Sequence, residues 1–224
     1  MDQTTLVKDE ETVAVERAGA GEDPRKRRQI LEGARRLFLS KGFDAASMGD
    51  IAREAGVSKG TLYVYFDNKE VLFTALVREE KAQQFPKIFA IDNADPDVET
   101  ALLQLGGRFA RFITGPSVIM AMRTVVAISA RMPELGAEFY GDGPRRCALR
   151  LGEYLEAQVK AGVLAIDDIP LASAQFFDLV QSTLTRPLLF GLDAPPTEER
   201  IDAVVASAVR LFLGAYGKPT APTD

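Results

Sequence analysis

The sequence predicts an all-α protein: a small N-terminal helical unit followed by a larger helical remainder. Three observations carry this. Apolar residues recur every three or four positions along most of the chain. Ser, Asp and Asn precede those stretches and Gly follows several of them, as helix starts and stops require. Finally, the one strand-like string, TLYVYF at 61–66, has no second strand to pair with.

Residues 1–23 lack apolar periodicity and read as a disordered acidic tail. Asp23-Pro24 then supplies an N-cap and a Pro at the first helical position. Ile30, Leu31, Ala34, Leu37 and Phe38 follow at helical spacing, and Gly42 stops the helix. Ser47-Met48-Gly49-Asp50 is a capping box opening a short helix with Ile51, Ala52 and Ala55, closed by Gly56. Ser58 caps the next. There Leu62 and Phe66 lie one turn apart, so packing of these two anchors overrides the strand propensity. Lys59, Gly60, Thr61, Tyr63, Val64 and Tyr65 are left to face outward. Asp67-Asn68-Lys69-Glu70 caps a longer helix running to about Gln84, with Val71, Leu72, Ala75 and Leu76 on one face. Further helices are predicted over 97–114, over 117–131 (apolar nearly all round, as in a central buried helix), from Pro133 onward with a kink at Gly143-Pro144, over 170–190 and over 197–215. The expected division is a tail at 1–23, one domain at 24–70 and a second at 71–217.

Composition removes whole classes of function. The 224 residues include one cysteine and no histidine. That excludes a disulfide within the chain, the usual zinc sites and every His-based general base. No clustered carboxylate pair and no Gly-rich phosphate loop stand in their place. The expectation is a protein that is not an enzyme and needs no cofactor or metal. No apolar run approaches the ~18 residues that span a bilayer, and the first twenty residues are too acidic for a secretory signal. A cytoplasmic protein with no membrane contact is expected. Cys147, beside Arg145, Arg146 and Arg150, is either a thiol activated by cations or a small buried hydrophobe.

The net charge of −5 argues against a polyanion partner until its distribution is examined. Residues 24–83 carry 12 basic and 8 acidic side chains, while the flanks carry the acidic excess. The positive segment holds two short helices joined by the tight turn AGVS, a helix-turn-helix. Its outward face suits DNA. Gly60 lets backbone approach a base edge or phosphate, Thr61 offers a hydroxyl and a methyl, and Tyr63 and Tyr65 offer phenol donors. Lys69 stands at a helix start, where an anion is favoured. Arg25–Arg28 are either phosphate contacts or a solvated helix start.

Residues 27–74, RRQILEGARRLFLSKGF and SMGDIAREAGVSKGTLYVYFDNKEVLF, resemble the DNA-binding domain of the TetR family of bacterial regulators. The resemblance implies a three-helix helix-turn-helix DNA-binding domain, a larger C-terminal ligand-binding and dimerisation domain, and a homodimer on a palindromic operator. It implies a repressor released by a small-molecule effector; the rival is a helical small-molecule-binding protein without operator binding. By position, Ser47 and Met48 open the second helix near the DNA backbone, Met48 being equally a packing residue. Lys59, Gly60 and Thr61 lie at the groove, and Tyr63, Tyr65 and Lys69 hold phosphates, with Arg28 near a flanking one. Val64, often aromatic in the family, either touches a thymine methyl or is neutral.

MPELGAEFYGDGPRR, LGEYLEAQVKAGVL and SAQFFDLVQSTL loosely resemble the AefR-like C-terminal branch of that family. A pocket between the long helices is implied. Its candidate lining residues are Phe109, Phe112, Met120, Arg123 and Val126, with Phe139, Cys147, Leu151, Tyr154 and Phe177. Arg123 interrupts an apolar stretch, and a buried Arg needs an anionic or carbonyl partner, either an acid within the protein such as Glu153 or the ligand itself. The last two helices would form a dimer bundle through Val180, Leu184, Val204, Val205, Ala208, Leu211 and Phe212.

Overall fold

The computed structural model describes residues 23–192 and 194–217. The tail predicted at 1–23 lies outside it, apart from Asp23. Eleven helices are present among the described residues, in the order α1 (Pro24–Lys41), α2 (Met48–Ala55), α3 (Lys59–Tyr65), α4 (Lys69–Ile88), α5 (Val98–Ile113), α6 (Pro116–Ile128), α7 (Pro133–Tyr140), α8 (Arg146–Lys160), α9 (Ile169–Gln181), α10 (Thr185–Phe190) and α11 (Glu198–Tyr216).

The N-terminal caps form as the sequence requires. Asp23 accepts from Arg25 N, Ser47 from Asp50 N at 3.1 Å and Ser58 from Thr61 N at 3.0 Å. At α4 the cap is Asn68, which accepts from Val71 N; Asp67 is not the cap. The string TLYVYF belongs to α3 and its C-cap, with Leu62 fully buried and Phe66 nearly so.

Two apolar cores result. The first gathers Ile30, Phe38, Ile51, Leu62, Phe66 and Phe73 from α1–α4, and Val125, Ile128 and Leu135 of α6 and α7 close it from behind. The second lies among α5, α8, α9 and α11 around Leu105, Phe109, Tyr154, Phe176, Phe177 and Phe212. α4 serves both, through Leu72 and Phe73 at one end and Ile88 at the other. Two glycines set helix distances. A Cβ on Gly33 would lie 2.6 Å from Ala55 Cα, so α1 and α2 touch backbone to backbone; one on Gly106 would lie 2.8 Å from Val205 Cγ1 between α5 and α11.

Three predicted elements change. The kink at Gly143-Pro144 is a π-helical turn, Gly141–Arg145, between α7 and α8. The single helix expected over 170–190 is α9 plus α10. Pro187 lacks the N–H that would bond Thr183 O and its ring crowds that carbonyl, so the helix breaks there. The stretch 117–131 is not buried all round: Val126 is 76% exposed, and Arg123 and Ala127 share its outer side.

Candidate nucleic-acid interface

α3 is seven residues long and is held from behind. Leu62 and Phe66 enter the core, and Arg27 lies over the Phe66 ring at 5.6 Å. Turning those residues inward turns Lys59, Gly60, Tyr63 and Val64 outward, Tyr63 at 51% and Val64 at 70% exposure. The side chain of Lys59 crosses α2 at Gly49, where a Cβ would meet its Cε at 2.9 Å. A Cβ on Gly60 would find only the Ser58 hydroxyl, at 3.8 Å, so that side of α3 is open to an approaching backbone.

The remaining predicted contacts have work inside the protein. Thr61 Oγ1 shares a 2.8 Å hydrogen bond with Ser58 Oγ. Ser47 Oγ donates to Asp50 Oδ2 at 2.8 Å, and that bond, with lesser help from Lys41 and Arg53, holds the Asp50 carboxyl below the usual range. Met48 is half-buried against the first core. Tyr65 accepts from Asp23 N at 3.0 Å, and among the described residues its own O–H has no acceptor. Lys69 differs most from expectation. Its ammonium donates to Phe43 O at 2.7 Å and Asp44 O at 3.3 Å and lies 4.3 Å from the Phe43 ring centre. It clamps the α1–α2 loop onto α4 through those two carbonyls. Arg28 is exposed and borders a cleft described below.

Residues 100–218 match the model of the AefR-like transcriptional repressor C-terminal domain, and residues 30–76 match that of the tetR family of bacterial regulatory proteins. The chain belongs to the TetR family. A TetR-family regulator structure from Mesorhizobium loti is similar over 88% of this chain and all of its own, at 27% identity and a TM-score of 0.80. The flavonoid-responsive regulator FrrA is similar at 32% identity over 88% of this chain and all of its own, with a TM-score of 0.69. The repressor AcnR of Corynebacterium glutamicum shares 43% identity over 65 residues, 29% of this chain. The chain spans only about a third of the length of such curated relatives, 35% for AcnR and 29% for the repressor Rv1474c of Mycobacterium tuberculosis.

In the C-terminal part of this TetR-family chain, the predicted lining residues do not gather round one cavity. Phe109, Cys147, Leu151, Tyr154 and Phe177 are packed core. Burial pushes the Cys147 thiol up to about 12, so the activated-thiol alternative is dropped. Tyr154 donates to Asp95 O at 3.1 Å. Met120 and Phe139 pack against the first core. Val126 faces outward. Arg123 is exposed rather than buried, and Glu153 pairs with Arg150 instead. Arg123 donates to the Leu188 and Leu189 carbonyls, a cation at the C-terminal end of α10.

A cleft of about 670 Å³ does open between α1 and α4 on one side and α5 and the start of α6 on the other. Of the predicted lining residues, Phe112 borders it; Arg28 of the predicted DNA contacts does too. Arg108, Glu80 and Arg35, which also border it, were not anticipated. The available signal was Arg108, one turn before Phe112 and between Leu105 and Phe109 on a helix that is largely apolar.

Of the predicted dimer residues, Val180, Leu184, Val204, Val205, Ala208 and Phe212 lie inside their own subunit, and only Leu211 is exposed, at 59%. Among the described residues no single helix is long and apolar enough to cross a membrane, and no group of His, Cys, Asp and Glu is arranged to hold a metal.

Proposed function

We propose that two copies of this chain bind a palindromic DNA operator in the cytoplasm, repress transcription there and let go when a small molecule binds. The observation that carries this is the outer face of α3, where Lys59, Gly60, Tyr63 and Val64 are exposed, their side chains making no hydrogen bond among the described residues, on a helix anchored by Leu62 and Phe66. Lys59 and Tyr63 suit phosphates, and Gly60 and Val64 suit close approach to base edges. Tyr65, through its O–H, would donate to a further phosphate. Ser47, Met48, Thr61 and Lys69 set the geometry of this face, Lys69 with one donor still to spare.

Functionally, residues 24–70 act as the DNA-reading part and 71–217 as the sensing and dimerising part. α4 joins them. Arg78 makes a two-pronged bond to Glu138, at 2.5 and 3.0 Å, and Lys81 donates to Phe139 O at 3.0 Å, so α4 moves with α7. A ligand preferring one setting of α4 would change the spacing of the two reading heads in the dimer, and it acts only through that preference. That FrrA is named as flavonoid-responsive supports a small molecule as trigger. Dimerisation would use the outer faces of α9 and α11, where Leu171 and Leu211 are exposed at 51% and 59%. The buried residues of the predicted dimer set hold those helices at their angle.

The test is selection of bound fragments from sheared genomic DNA, with wild type and with Lys59→Ala plus Tyr63→Phe. A palindromic site, bound more weakly as salt rises and lost by the double variant, is the expected result. No enrichment even at low salt would sink the reading in favour of a binding protein without an operator.

A further inference from the structure

We propose that the cleft between the DNA-reading helices and the C-terminal domain is an effector site for an amphiphilic organic acid, with Arg108 holding the carboxylate and the apolar body lying along Leu31, Leu76, Phe112 and Val118. This effector role rests on the regulator reading above.

The size of the cleft, about 670 Å³, lies within the range of small-molecule sites. Its wall divides by chemistry. Leu31, Leu76, Ile88, Phe112, Pro116 and Val118 supply apolar surface, and Arg28, Arg35, Lys87, Arg108 and Arg111 supply cations. Some of that charge is already answered: Arg35 pairs with Glu32 at 2.9 Å, and Arg111 with Glu198 and Asp202 at 2.7 and 3.3 Å. Arg108 is different. It is half-buried, its Nε, like that of Arg35, is shielded from solvent without a hydrogen-bond partner, and, unlike Arg35, it has no acid within 4 Å among the described residues. A partly desolvated guanidinium with nothing to pair with costs free energy that an arriving anion returns.

The acids already in the cleft do not fill that role. Glu79 is taken by Arg27, at 3.2 Å. Glu80 is hydrogen-bonded by Ser117, and burial, the larger effect, favours its neutral form. α6 also begins at this cleft with no side chain capping its first N–H groups, so its positive end faces the same space. A net positive, half-apolar cleft selects an acid with an apolar body over a neutral or cationic one. Its two walls belong to α1 and α4 and to α5 and α6, so an occupant fixes the DNA-reading helices against the rest of the chain.

The probe pair is decanoate and decan-1-ol, the same chain with and without the charge, titrated into the full chain by calorimetry below micelle-forming concentration. Decanoate should bind at least tenfold tighter than decanol. Arg108→Met should remove that preference while changing decanol binding less than twofold. Equal affinity of the two probes overturns the proposal, as does decanoate affinity unchanged in Arg108→Met. Should that variant fail to fold, Arg108→Gln is titrated in its place, and unchanged decanoate affinity there decides against the proposal.

The selected DNA site is titrated in parallel. Decanoate bound through Arg108 should shift DNA affinity at least fivefold, and no shift overturns the effector role. Absence of DNA binding by the unliganded protein sinks the regulator reading, whatever decanoate does. Intact DNA binding with no charge preference in the cleft sinks this proposal alone.

Discussion

The three N-terminal helices and the helices behind them bury similar residues, but they leave different amounts of surface. α2 buries one stripe, Ile51, Ala52 and Ala55, and α3 buries Leu62 alone within its length. α5 is wrapped, burying Val98, Ala101, Leu102, Leu105, Gly106, Gly107, Phe109 and Ala110 against α4, α9 and α11. A helix covered along one side only keeps an outer face for a partner. A helix touching several neighbours becomes scaffold, and what it senses must enter at its ends. The cleft at the α5–α6 junction is such a place.

That contrast can be broken at several points, the largest effect first. Phe176→Ala removes a fully buried ring that meets Phe177 and Phe212 edge-on. It should cost about 3–5 kcal/mol in denaturant unfolding, and a loss under 1 kcal/mol would show the second core to be loosely packed. Gly33→Ala drives a methyl to 2.6 Å from the Ala55 backbone. It should cost about 1–3 kcal/mol and weaken DNA binding, since α2 must leave its seat. Leu211→Asp changes an exposed residue, so the monomer should keep its thermal stability. Dimerisation, read by analytical ultracentrifugation, should weaken at least about tenfold, or ~1.4 kcal/mol. An unchanged dimer would place the interface elsewhere.

Tyr63→Phe sharpens the comparison from the other side. Stability should stay within about 0.5 kcal/mol, while operator affinity falls about fivefold for one lost phosphate bond of ~1 kcal/mol. The smallest effect is at Glu80. Burial raises its folded pKa above the unfolded value, so its protonated form favours the fold and stability is lost as pH rises through the folded pKa. Glu80→Gln should therefore stabilise at pH 7. The gain should vanish below about pH 4, where the carboxyl is protonated in both states. A gain that persists there would point to hydrogen bonding rather than desolvation.

By itself the sequence determined the helical class, the N-terminal caps at Asp23, Ser47 and Ser58, and the inward turn of Leu62 and Phe66 within a strand-like string. Those follow from spacing and from the four unsatisfied N–H groups at each helix start, which are local matters. It thereby determined which face of α3 looks outward. Tertiary structure decided everything that depends on a distant neighbour. Lys69 is a clamp because Phe43 and Asp44 carbonyls lie beside it, and Arg123 is an exposed cap because α10 ends there. Val205 is core while Leu211, six positions along the same helix, is surface. Apolar spacing marks a buried face but not which element covers it, and only the packing of α5, α9 and α11 in space makes that choice.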